Sequence, residues 1–136
     1  MRADLKPGLK HSQSIVVDPR MTAHAVSLIF GVDELPPVLA TAGMIVFMEL
    51  TCAEAVRPFM DEGEQTVGIR VDMSHIAATP VGMRVTAEVE LIEVNERKLR
   101  FKVLCRDEKD VIGEGFHERG VINRARFLSK LDAKRA

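Results

Sequence analysis

Polar and apolar residues alternate over most of the second half of the chain. Between Arg84 and Val94 the apolar positions are Val85, Ala87, Val89 and Leu91; between Lys98 and Arg106 they are Leu99, Phe101, Val103 and Cys105. A period of two puts each set on one face of a strand. Thr66 to Met73 alternates likewise through Val67, Ile69, Val71 and Met73. Gln13 to Val17 reads as a short first strand, ended by the turn signal Asp18-Pro19. Val111 to Asn123 predicts a long last strand, with Gly113 and Gly115 as bulge or bend sites. Turns at Asn95-Glu96 and Glu108-Lys109-Asp110 join the last strands into an antiparallel meander.

The segment from Val38 to Met60 is patterned differently. From Val38 to Ala53 it holds a single formal charge, Glu49, and apolar residues occur on every side. A helix apolar all round is normally buried. Pro58, Asp61 and Gly63 end it. Thr22 to Phe30 fits a short helix, Gly31 to Pro37 a loop, and Arg124 to Ala136 a short amphipathic helix. An early buried helix followed by long antiparallel strands makes an α+β domain in which the sheet wraps the helix, the hot-dog arrangement. One copy leaves sheet edges and part of the helix uncovered, so a second copy is expected.

A length of 136 residues suits one domain, residues 1–136, with a core that needs no staples. The net charge of −1 supplies no field to recruit nucleic acid or an anionic membrane. The longest apolar run, Met44 to Met48, falls far short of the roughly 20 residues that span a bilayer. The charged start of the chain lacks a signal-peptide stretch, which leads to a cytoplasmic expectation. Cys52 and Cys105 lie in apolar patterns without C-x-x-C spacing and read as reduced, packed thiols.

Glu49 is the residue most in need of explanation, because a carboxylate in a buried helix costs several kcal/mol unless it is paired or neutralised. It is either a structural ion pair or a nucleophile or general base. His75 follows the strand Thr66–Met73 and carries the side chain best suited to proton transfer near neutral pH. Thr41 stands where a helix cap would stand. Eight residues from Glu49, it is about 12 Å away along a regular helix, too far for direct contact. His117 and Arg119 in the last strand read first as a solvated, charge-alternating face, with Arg119 also a candidate for substrate contact. No Gly-rich phosphate loop, zinc-ligand spacing or G-x-S-x-G elbow is present, and no metal is expected.

Three blocks give the chain a family likeness: Val38-Leu39-Ala40-Thr41-Ala42-Gly43-Met44 running to Met48-Glu49, Ser74-His75-Ile76-Ala77-Ala78-Thr79-Pro80-Val81-Gly82, and His117-Glu118-Arg119-Gly120-Val121-Ile122. In this order and spacing they resemble the fluoroacetyl-CoA thioesterase family of hot-dog proteins. The resemblance implies a homodimer, with a tetramer left open, that hydrolyses a small acyl-CoA without a cofactor. It implies catalytic roles for Thr41, Glu49 and His75, and places Gly68 and Arg119 near the acyl α-carbon. The N–H groups of Ala42 and Gly43, at the helix start, are candidates to stabilise the oxyanion. Where the halogen-selective member has aromatic lid residues, Val32 and Leu35 stand here. A small acyl-CoA is therefore the expected substrate, rather than fluoroacetyl-CoA in particular. Two other readings compete: a non-catalytic acyl-CoA-binding dimer, and an enoyl-CoA hydratase. The second is disfavoured because Asp72 and His75, three apart on an extended run, point to opposite faces.

Overall fold

The strands with the strictest alternation form at the expected bounds, except that the first of them runs one residue further into the expected turn, to Asn95. In the computed structural model, which describes all 136 residues, β3 spans Arg84–Asn95, β4 Lys98–Arg106 and β5 Val111–Asn123. β1 spans Lys10–Val16 and β2 Glu64–His75. The order across the sheet is β1-β3-β4-β5-β2, and every pairing is antiparallel. β2 is therefore an edge strand, although it precedes β3 in the chain. His75 is its last residue and does not lie beyond it.

Helix α1 covers Ala23–Leu28, capped by the Thr22 hydroxyl, which accepts from the Ala25 N–H. Helix α2 covers Thr41–Val56 and continues as a 3-10 turn over Arg57–Phe59. It begins three residues later than the apolar run suggests. Val38 and Leu39 are extended, forming isolated bridges to Pro80 and Thr22. Helix α3, Arg124–Arg135, closes the chain. No helix is long and apolar enough to cross a membrane.

The sheet curls round α2 and buries Met44, Phe47, Met48, Cys52 and Val56 against Val85, Ala87, Val89, Leu91, Leu99, Phe101, Val103 and Cys105. Burying each of the larger of these side chains is worth about 1.5–3 kcal/mol. Gly113 permits the close approach: a Cβ there would lie 2.6 Å from Met44 Sδ. Gly115 has φ 155°, and an added Cβ would meet the Asp72 carbonyl oxygen at 2.0 Å. These glycines thus serve tight packing, and the irregularity beside them leaves Ile112 of β5 as an extra residue opposite Cys105 and Arg106.

The wrapping is one-sided. Val46 and Leu50 on the free flank of α2 are 56% and 59% exposed, so the helix is not enclosed as its composition predicts. A second irregularity sits in β2. Gly68 pairs with Arg119 and Arg70 with Glu118, leaving Ile69 as an inserted residue. Past this bulge Val71 and Met73 face α2, whereas Val67 before it faces outward. The apolar residues expected on one face of β2 are thus split between two.

Candidate active site

The first residue of α2 is Thr41; Ala40 holds the cap position and offers no capping side chain. The Thr41 hydroxyl is consequently free for another partner, and it lies 2.7 Å from His75 Nδ1. The antiparallel run of β2 past α2 brings the end of the strand to the start of the helix. His75 Nε2 is buried and has no hydrogen-bond partner, an arrangement that costs free energy until something supplies one. The N–H groups of Thr41, Ala42 and Gly43 also find no acceptor within the chain. They carry the positive end of the α2 dipole. Gly43 packs beneath the Met21 carbonyl, where a Cβ would come within 3.0 Å of the oxygen.

Val32 and Leu35 reach the same place from the loop after α1. With Val26, Phe30, Thr41 and Ala42 they line a cleft of about 420 Å³. Six of the expected site residues, Thr41, Ala42, Gly43, His75, Val32 and Leu35, therefore gather around the start of α2.

Glu49 lies two turns further on, in different company. Its Oε2 is 3.5 Å from Arg119 Nη1. It also lies 3.0 Å from where a Cβ on Gly68 would sit. Its side chain is 33% exposed, so the expected burial is only partial. The cause is the open flank of α2, which the sheet of a single chain does not reach. Glu49 makes no hydrogen bond to Thr41 or His75, as the helical spacing requires. The structure thus divides the three expected catalytic residues into a Thr41–His75 pair and a Glu49 cluster.

His117 and Arg119 overturn the solvated-face reading. His117 is fully buried and Arg119 nearly so, both on the inner side of β5. His117 Nδ1 donates to the Arg70 carbonyl at 2.7 Å, and Arg119 donates through Nε and Nη2 to the side-chain and backbone oxygens of Thr66. Burial, more than the neighbouring Arg119 charge, pushes the His117 imidazole below the ordinary histidine range. Burial also lowers Arg119, with Glu49 opposing it. Alternation was the available signal: with Gly113 and Gly115 inward against α2 and β2, residues 117 and 119 follow on the same face. Thr66 carried no signal of its own. A groove of about 840 Å³ opens beside Arg119 along the free flank of α2, lined by Phe47, Leu50, Ala53 and Arg57. No group of three or more His, Cys, Asp or Glu is placed to hold a metal.

Asp72, paired with Phe116, lies on the outer face of β2, while His75 lies on the inner face, as the hydratase argument anticipated. The cysteines are free and buried; burial pushes Cys105 up to about 11 and Cys52 higher still, so neither is a thiolate nucleophile.

A family model described as fluoroacetyl-CoA-specific thioesterase matches residues 17–125. The fluoroacetyl-CoA thioesterase of Streptantibioticus cattleyicolor is 36% identical over 135 residues, spanning 98% of this chain and 97% of the relative. A solved structure of the fluoroacetyl-CoA thioesterase FlK superposes with a TM-score of 0.92 at 35% identity, covering 96% of this chain and 97% of that one. A thioesterase-superfamily member from Thermus thermophilus gives a TM-score of 0.88 at 27% identity, covering 98% and 95%. An antiparallel sheet curled round one long helix, and a sequence match running nearly end to end, lead to one conclusion: this chain is a hot-dog protein and belongs to the fluoroacetyl-CoA-specific thioesterase family.

Proposed function

We propose that the protein hydrolyses the thioester of a small acyl-CoA to the free acid and CoA. The observation that carries this reading is the Thr41–His75 hydrogen bond, whose far ring nitrogen is buried and unpaired beside the open N-terminus of α2. Family membership and a 36% identical fluoroacetyl-CoA thioesterase support the same chemistry.

In this proposal the thioester carbonyl oxygen lies against the N–H groups of Ala42 and Gly43, where negative charge developing in the tetrahedral intermediate is stabilised. Glu49 attacks the carbonyl carbon, or takes a proton from the water that does. His75 Nε2 passes a proton to the departing thiolate or takes one from water, and Thr41 holds the ring through Nδ1. Gly68 and Arg119 flank the acyl α-carbon. The reaction calls for no metal or redox cofactor.

One chain separates Glu49 from His75, and in a homodimer the partner's β2 runs a second copy of His75 back toward the Glu49 cluster. The free edge of β2 leaves backbone donors and acceptors unpaired, and Ile69 and Val71 are exposed along it. Pairing two copies of β2 about a two-fold axis reverses the second strand. The stretch from Gly68 to His75 spans about 23 Å of extended strand. Pairing at the strand midpoint reduces the distance to the partner's equivalent residue to about 13 Å, because the reversed strand runs back past Gly68. Val46 and Leu50 supply apolar surface for the same contact. With its two reduced thiols, the dimer suits the cytoplasm.

Release of free thiol from acetyl-, fluoroacetyl-, propionyl-, phenylacetyl- and longer acyl-CoA tests the proposal. Turnover of the smaller members is the expected result. Tight binding of every one of them without thiol release would instead make the protein a non-catalytic acyl-CoA binder.

A further inference from the structure

We infer that His117 is a positioning residue, acting as the hydrogen-bond acceptor that sets the Arg119 guanidinium between Gly68 and Glu49. The inference rests on the thioesterase reading for its catalytic consequence, but its structural content stands on the contacts alone.

A backbone carbonyl can only accept, so the 2.7 Å contact between His117 Nδ1 and the Arg70 oxygen puts the proton on Nδ1. In the neutral ring, Nε2 then carries a lone pair. Arg119 has N–H donors and no acceptor, and its Nη1 lies 3.2 Å from that lone pair. The two contacts are consistent only with the neutral, Nδ1-protonated ring. An imidazolium would aim a second N–H at a guanidinium that cannot accept it. His117 thereby ties the orientation of Arg119 to the bulge.

An inventory of Arg119 shows why the link matters. Nε donates to Thr66 Oγ1 at 2.8 Å and Nη2 to the Thr66 carbonyl at 2.9 Å. Nη1 divides between His117 at 3.2 Å and Glu49 at 3.5 Å. The second N–H of Nη2 has no acceptor in the chain. Glu49 is the most distant partner of the guanidinium. The neutral acceptors hold the cation, and the carboxylate keeps a compensating charge without being locked into a bidentate pair. A buried imidazole in a strand that otherwise packs against α2 costs desolvation free energy, which a phenyl ring in its place would avoid. Gly68 completes the arrangement. A Cβ there would lie 3.0 Å from Glu49 Oε2 and 3.3 Å from His117 Cε1, so the absent side chain leaves room for both the ring and the carboxylate.

The test uses the full-length protein and variants H117L, H117Q, R119A and H117L/R119A. Long-range ¹H–¹⁵N spectra of the parent should show His117 neutral with its proton on Nδ1. They should also show a slowly exchanging Arg119 Nε–H, retained in H117Q, whose amide oxygen replaces the acceptor, and lost in H117L. The kcat/KM for thioester hydrolysis should fall about tenfold in H117L, the scale of one hydrogen bond to a charged group, and return to within about threefold of the parent in H117Q. In the R119A background, H117L should cost less than about twofold, because residues acting through one contact are not additive. An Nε2-protonated or doubly protonated His117 at neutral pH overturns the inference. So does an equal H117L penalty with and without Arg119. Should H117L not fold, the parent spectra and H117Q still decide. A parent that releases no thiol defeats the hydrolase reading alone, leaving the spectra to judge His117.

Discussion

At the start of α2, Thr41 and His75 share one hydrogen bond, next to free N–H groups and a ring nitrogen with nothing to bond. Two turns along the same helix, Glu49 sits beside an arginine whose donors are almost all taken and a histidine with both nitrogens engaged. The first place is open and unsatisfied; the second is filled and braced. The difference matches a division of labour. In the proposed mechanism the groups that exchange protons need an empty position for the substrate, whereas a carboxylate that attacks or activates water is aimed by rigid neighbours. It also shows that one helix face can serve two tasks when a strand of opposite direction supplies a different residue at each level.

Removing either chemical group tests the division most severely. His75→Ala and Glu49→Ala should each slow thioester hydrolysis at least ~10²-fold, the scale of lost acid–base or nucleophilic groups. Activity within threefold of the parent for either would remove that residue from the mechanism. Next comes the braced end alone. Gly68→Ala forces Glu49 and His117 apart by a few tenths of an ångström and should lower kcat/KM on the order of tenfold or more, with the melting temperature near the parent's. An unchanged rate would mean that the close approach has no part in turnover. Thr41→Val keeps the shape of the open end and deletes its single hydrogen bond. A drop in kcat of roughly five- to tenfold is expected, and full activity would leave the His75 ring oriented by something else.

The smallest effect concerns stability. Burial keeps the His117 proton affinity below that of the unfolded chain, whose histidines titrate near the ordinary value of 6.5. As pH falls through that value the unfolded chain takes up a proton that the folded protein, with Arg119, Glu49 and Glu118 near the ring, takes up only at lower pH. Stability should therefore decline as pH falls below the ordinary histidine value of 6.5, and H117L should show a shallower decline in melting scans. Parallel curves for parent and variant would rule out a His117 contribution.

The extent to which these ends were readable beforehand follows the strength of the local pattern. β4 and β5 emerged with the expected limits, because their alternation is uninterrupted and polar turns bound them. β1 reaches three residues further toward the N-terminus, to Lys10, since polar outward positions carry no apolar marker. The start of α2 was misplaced because the extended bridges of Val38 and Leu39 depend on residues distant in sequence. Thr41 and His75 could be singled out by type and by family likeness. Their contact could not, because it depends on the path of β2 beside α2. The Glu49 environment was harder still: half of it comes from β5, whose charged residues look like a wetted surface until the packing of Gly113 against Met44 fixes the inner face.

The inserted Ile69 has a final consequence, which concerns parity. Gly68 and His75 are an odd number of positions apart, so a regular strand would direct one toward the helix and the other toward solvent. The single extra residue makes the count even and turns both inward. Deleting Ile69 would remove the bulge and leave the two residues six regular positions apart, so both would still face inward. Deleting one residue between Arg70 and Ser74 with the bulge kept would turn His75 away from Thr41, unless the strand smoothed the bulge away. Paired deletions would preserve the sense of the strand and sacrifice only its length. The spacing of the site therefore tolerates change in twos, and change by one only where it adds or removes a bulge.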